Sequence, residues 1–244
     1  QAKYLYGIMF GIGGIGSIIG TSLPSFFAVK LSSEKLLLAT IPLYLLFACF
    51  YFLLLKNSSH TSENAGQNKQ VPSFFKGFRL IRSSRVLTFI LLIVICMQAA
   101  KTVMDLQFNT YLAKVFLDQD MRTQFSARIW GLVNSFSLCL QFVAAFIIIQ
   151  LLGVKKSHLF VPLTLLTTTV ASLIYPGFIM ATCSFTLLQV FDYSIFNIIK
   201  EMLYIPLKSE EKFQAKAIID VFAYRTAKAL ASLLVISMQF YLAR

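Results

Sequence analysis

FILLIVICMQAAKTVMDLQFNTYL, residues 89–112, decides the fold. As a helix rising about 1.5 Å per residue it crosses a hydrocarbon core about 30 Å thick. Apart from Lys101 and Asp105 it carries no charge. Runs of this kind recur along the chain. Residues 4–29, 36–55 and 129–152 are uncharged, and so is 159–191, which is too long for one crossing. Pro176-Gly177 is a turn signal that divides it into 159–175 and about 181–199, the latter with Asp192. A last run, 217–242, contains Asp220, Arg225 and Lys228. In lipid every backbone polar group must be satisfied within the protein, so uninterrupted apolar runs are helices. The alternation expected of a membrane β-barrel is missing. The expectation is an all-α membrane protein with seven transmembrane helices.

Composition agrees. Hydrophobic residues make up 57% of the 244 and charged residues 13%, against roughly 45–50% and 25% in soluble domains. Mean hydropathy is +0.74. The net charge of +12 would suit nucleic acid if it formed a reading surface, but the basic residues collect in short segments between apolar runs, and no nucleic-acid partner is expected. Cys49, Cys96, Cys139 and Cys183 all lie in apolar runs with no CxxC, so they read as small hydrophobes rather than disulfides or metal ligands. His60 and His158 fall in expected loops. HExxH, Walker A and GxSxG are absent, so neither an enzyme nor a cofactor is indicated.

Lys and Arg set the orientation. Segment 56–85 holds Lys56, Lys69, Lys76, Arg79, Arg82 and Arg85 against Glu63, which places it in the cytoplasm. Parity then puts 30–35, 113–128 and the Pro176 turn outside, and Lys155-Lys156 and 200–216 inside. Phe74, Phe78 and Ile81 lie at helical spacing against Lys76, Arg79 and Arg82, so 73–85 reads as an amphipathic helix at the interface or as a solvated loop leading into the next span.

Two spans, a long basic connection and five more spans resemble the middle of a major-facilitator-like helical bundle, whose two six-helix halves are joined by such a loop. The division is 1–55, the last two helices of the N-terminal half; 56–85, the linker; and 86–244, the first five helices of the C-terminal half. The chain starts at Gln1 and ends just past an apolar run, so it reads as a fragment, helices 5–11 of twelve. In that register helices 7 and 10 line a central cavity, 5, 8 and 11 flank it, and 6 and 9 face lipid. The intramembrane charges fall on helices 7, 10 and 11.

Lys101 and Asp105 share a helix face at i, i+4, continued by Asn109. A charge at the bilayer centre costs about 2.5–3.5 kcal/mol, so such residues are candidate solute or ion contacts. The other reading is a structural pair near the outer interface. Asp192, beside Tyr193 and Asn197, is a candidate cation site or a partner for Lys101 or Lys228. Lys228 and Arg225 suit an anion, though Arg225 can also snorkel; Ala223, Ala227 and Ala231 form a packing stripe. Gly11–Gly16 matches GxGxxG, but inside an uncharged span it reads as close helix packing, with Gly7/Gly11 and Gly16/Gly20 as small-xxx-small pairs.

KEMLYIPL (200–207), SEEKFQAKAIIDV (209–221) and Tyr224-Arg225 resemble the ATP/ADP translocase (nucleotide transporter) family and its major-facilitator-like bacterial relatives. The shared motif covers Lys200, Glu201, Glu211, Lys212, Lys216 and Asp220. The resemblance assigns Lys228 to the lysine of the family's Gly-Lys-Ser-Gly element, implicated in nucleotide transport, and aligns Asp105 with an acidic position on helix 7. Here that element reads Ala227-Lys228-Ala229-Leu230. The implied function is secondary transport of a small anionic solute, ATP/ADP or another nucleotide, across the bacterial inner membrane. Lys101, Arg225 and Lys228 would hold the anion, and Asp105 and Asp192 would balance charge or couple a cation. A carrier for a different solute, a membrane enzyme acting on lipid and a carrier-derived scaffold or sensor are the alternatives. The scaffold predicts that these charges pair among themselves with no open cavity.

Overall fold

The computed structural model describes residues 2–58, 79–82, 84–204, 207 and 216–242, and among these the side chains outside 2–11, 57–58, 142–158, 238–239 and 242. All the regular structure described is helical. Helix α1 is Ala2–Leu31, α2 Ser33–Leu38, α3 Thr40–Ser58, α4 Arg85–Val115 and α5 Gln119–Ile174. Helix α6, Phe178–Leu203, contains a π-helical turn at Asp192–Phe196. Helix α7, residues 217–242, opens with a π segment at Ala217–Ala223. Among the described residues four stretches are long and apolar enough to cross a membrane: Ile12–Leu31, Ser33–Lys56, Arg85–Val115 and Phe178–Leu203, with the shorter apolar helix Leu159–Ile174 besides.

The helix boundaries have local causes. Ser32 takes φ 64, and this left-handed residue separates α1 from α2. Asp118 caps α5, its carboxylate accepting from the N–H of Asp120 and Met121 at 3.4 and 3.3 Å. Tyr175, ahead of Pro176, ends α5 where the proline disfavours a helical predecessor. Within the spans the hydroxyls turn back onto their own helix: Ser17 onto Gly13 O, Thr21 onto Ser17 O and Ser22 onto Ile18 O. Each satisfies a donor that lipid cannot.

The sequence reading put a cytoplasmic break at Lys155-Lys156, but the backbone is helical from 119 to 174. A straight helix of 56 residues would be about 84 Å long. Contacts rule out such a rod. Phe125 packs on Phe178 and Trp130 on Phe185, and Ser137 and Gln141 bond the Val190 and Tyr193 carbonyls. That limb runs parallel to α6. Further on, Val161 clusters with Ile195 and Ile199, and Ser184 bonds Thr168 O at 3.2 Å. This second limb runs antiparallel. Helix α5 therefore doubles back between 141 and 161 while keeping helical backbone, which explains why two apolar runs flank a pair of lysines.

The other directions follow suit. Helix α4 runs antiparallel to α6, with Phe108 stacked on Phe185 at 4.3 Å and Phe116 against Phe178. It runs parallel to α7: Leu87, Ile90 and Val94 pack with Ile218 and Ile219, and Asp105 meets Lys228. Helix α1 runs antiparallel to the first limb of α5. Segments expected on one side of the membrane gather at one end of the bundle. Ser33 donates from its N–H and hydroxyl to Asp120 Oδ1 at 2.7 and 2.6 Å, joining 30–35 to 113–128. At the other end Ile81 is buried with Tyr204, Ile218 and Ile219. Of the amphipathic segment only residues 79–82 and 84–85 are described; there Ile81 is spent on the protein core. Phe74 and Phe78 lie outside the described residues.

Leu37–Lys56 is exposed at every position. The glycine reading needs correction. A Cβ at Gly16 or Gly20 would meet nothing within 4 Å, so that pair makes no close packing. Gly14 does: a Cβ there would come within 2.8 Å of Leu138 Cδ1, and a Cβ at Gly131 would lie 3.6 Å from the Thr21 hydroxyl. The side chains around Gly7 and Gly11 are outside the described set. Ala223, Ala227 and Ala231 are buried as a stripe on α7.

Candidate functional site

Halfway along α4 the face Gln98, Lys101/Thr102, Asp105, Asn109 meets α6 and α7. Lys101 Nζ lies 2.5 Å from Asp192 Oδ2, with both side chains almost fully enclosed at 5% and 6% exposure. The same ammonium sits 4.5 Å from the centroid of the Tyr193 ring, a cation–π contact. The pair thus ties α4 to α6 near the middle of both spans, and the π turn at Asp192–Phe196 puts Asp192 and Tyr193 side by side there. Wide turns of this kind leave carbonyls short of helical partners and recur at functional sites. Ser137 and Gln141, one turn apart on α5, supply donors to the carbonyls beside this one, at 3.4 and 2.8 Å.

One turn further along α4, Asp105 has different company. Its Oδ1 accepts from Gln189 Nε2 at 2.7 Å, and its Oδ2 lies 3.9 Å from Lys228 Nζ. Lys228 is 54% exposed and Asp105 25%. Arg225 is exposed and has no ion pair among the described residues. Asn109 bonds its own helix at Asp105 O, 2.8 Å, and lines an outer cavity. Sequence reasoning missed Gln98 and Gln189. Both are buried; neither amide atom of Gln98, and not Gln189 Oε1, has a hydrogen-bond partner among the described residues. The signal was there for Gln98, which begins the polar stripe that Lys101, Asp105 and Asn109 continue.

The motif residues lie elsewhere. Lys200 pairs with Asp220 at 3.1 Å and Lys216 with Glu201 at 2.6 Å, so both pairs clamp the end of α6 to the start of α7. Asp220, like Asp192, sits in a π segment. Tyr204 is enclosed between them; burial, with Asp220 and Glu201 nearby, pushes its phenol up and keeps it protonated. Glu211 and Lys212 lie outside the described residues. At the opposite end the Ser33 hydroxyl and N–H hold the Asp120 carboxyl below the usual range.

Two cavities open along α5. The larger, about 680 Å³, lies between α1, α5 and α6, with Ser17, Trp130, Asn134, Gln141, Tyr193 and Asn197 on its wall and no charged residue. The outer one, about 590 Å³, holds Arg122 and Asn109 and shares Trp130 with the first. Helices 5 and 8 of the expected register thus line the larger space, where they were expected only to flank it. Lys101 adjoins that space through Tyr193.

Residues 178–243 match the family model described as TLC ATP/ADP transporter. No curated protein and no solved structure matches the chain. The TLC match agrees with the ATP/ADP translocase resemblance of 200–228 and extends it upstream over all of α6. It takes in Asp192, both ionic clamps, Arg225 and Lys228, so among the described residues both ion-pair partners of α4 belong to the matched segment. Together with the apolar helices it marks an integral membrane protein, one segment of which is similar to the ATP/ADP transporter family model.

Proposed function

We propose that the protein is a secondary transporter exchanging nucleotides of ATP/ADP type by alternating access in a bacterial inner membrane. It would be built as seven membrane helices of a major-facilitator-like bundle divided at 1–55, 56–85 and 86–244. One observation carries the reading: Lys228, inside the segment that the TLC model matches, is an open lysine held loosely by Asp105 at 3.9 Å. An exposed pair at that distance is weak, so an incoming phosphate can take the ammonium from Asp105 and return it on release. Arg225 offers a second, planar donor set. Lys101, first read as an anion contact, is engaged by Asp192, so its part is to set the positions of α4 and α6 and the potential beside the cavity.

The scaffold alternative has one observation in its favour: Lys101, Asp105, Asp192 and Lys228 do pair among themselves. It also needs a closed interior, and a 680 Å³ cavity beside the buried pair speaks for transport. The test is uptake of labelled ATP by cells expressing the protein, against Lys228→Gln. Uptake at least about tenfold lower in the variant supports the role given to Lys228. Equal uptake in both removes it.

A further inference from the structure

The larger cavity has a chemistry that the ion pairs do not explain. Its wall carries two aromatic rings and three carboxamides but no charge. It has nothing with which to neutralise a phosphate. A flat, uncharged, hydrogen-bonding group fits it instead. Trp130 is wedged between the two cavities, its indole edge-on to Phe185 at 5.7 Å and tilted to Tyr193 at 6.2 Å, so the ring is held in place. The amides differ in their freedom. Gln141 is tied by its N–H to the Tyr193 carbonyl at 2.8 Å. Asn134 makes only a long 3.5 Å contact to Ser17 O, and Asn197 makes no side-chain hydrogen bond to described residues. Each amide presents one donor and one acceptor side by side, the complement of a purine edge. Gly13 on the facing helix leaves the space open: a Cβ there would meet nothing within 4 Å.

We infer that this cavity is a nucleobase subsite, with Trp130 as the stacking platform and Asn134 and Asn197 reading the edge of the base. The inference rests on the nucleotide-transport reading and adds to it which part of the solute goes where. The base lies among α1, α5 and α6, and the phosphates lie toward Lys228 and Arg225 of α7, beyond the Tyr193 ring that contacts Lys101. Stacking tolerates different bases, whereas amide contacts to a purine edge discriminate between them.

The test uses the purified protein in lipid nanodiscs with three probes: adenosine, ATP and inorganic triphosphate. Binding is followed by quenching of tryptophan fluorescence and, independently, by equilibrium binding of the labelled probes. Adenosine and ATP should quench the emission of Trp130, the single tryptophan of the sequence, triphosphate should not, and Trp130→Ala should weaken equilibrium binding of labelled adenosine at least several-fold. Gly13→Leu, which fills the cavity without a backbone clash, should weaken adenosine and ATP at least tenfold and spare triphosphate. Asn197→Ala should weaken adenosine several-fold. Lys228→Gln should weaken ATP and triphosphate and leave adenosine unchanged. If ATP binds in a Lys228-dependent way while adenosine does not bind and Gly13→Leu is silent, the base subsite is wrong and the transport reading stands. If neither ATP nor triphosphate binds, the transport reading fails with it.

Discussion

Lys101–Asp192 and Lys228–Asp105 both join α4 to a neighbour, and their lysine-to-carboxylate chemistry is the same. Their surroundings differ. The first pair is sealed at 2.5 Å with Tyr193 over the ammonium; the second is 3.9 Å apart, with Lys228 half exposed. A sealed pair has given up its water and holds its geometry, since losing either partner strands a charge. An open pair costs little to part. The same two residue types therefore serve as a fixed joint in one place and an exchangeable contact one helical turn away.

Several substitutions would break or sharpen this contrast. Asp192→Asn should have the largest effect on stability, about 3 kcal/mol or more, because Lys101 is left charged and enclosed. It is read as a fall in thermal midpoint in detergent, and Lys101→Met in the same protein should restore most of the loss. A midpoint unchanged by Asp192→Asn would place the pair in open solvent. Lys228→Gln should do the reverse, cutting nucleotide binding at least about tenfold while the midpoint stays within the 0–1 kcal/mol expected of an exposed pair. Lys216→Ala removes a half-exposed partner of Glu201, and a change of about 1 kcal/mol or less is expected, seen as slightly faster proteolysis between α6 and α7.

The smallest effect concerns Asp120. Its folded carboxyl titrates below the unfolded value of about 3.9 because Ser33 bonds the ionised form. Its contribution is thus complete above that value and is lost as pH falls through the lower, folded one. Asp120→Asn should leave a slightly lower midpoint at pH 7, with the difference from the parent vanishing below the folded carboxyl's titration. A difference that persists to the lowest pH would contradict the Ser33 contact.

Much of the architecture could be read from runs and breaks. Apolar length marked four stretches among the described residues that are long enough to cross a membrane, where seven were expected, Pro176-Gly177 marked a break that is found there, and the lysines at 155–156 marked a reversal, though no gap in the helix accompanies it. The site was legible only as a set of residues. Lys101 and Asp105 share a face by helix periodicity, yet which takes Asp192 and which takes Lys228 depends on the antiparallel and parallel registers of α6 and α7. The π turn that presents Asp192 and Tyr193 together is fixed by donors from α5, a tertiary cause with no local signature. Trp130 and Asn134 sit in an uncharged run, where a lone ring and amide look like filling. The Gly16/Gly20 pair packs against nothing for a related reason: spacing shows which glycines share a face, and only the neighbouring helix decides which face is packed.

The contrast between the two lysines can be measured directly by treating the protein in nanodiscs with an amine-specific reagent and following Lys101 and Lys228 by mass spectrometry, with and without ATP. The account predicts that Lys228 is modified readily, that ATP protects it, and that Lys101 stays unmodified in both conditions until the protein is unfolded. Modification of Lys101 as fast as Lys228, or no protection of Lys228 by ATP, would contradict it.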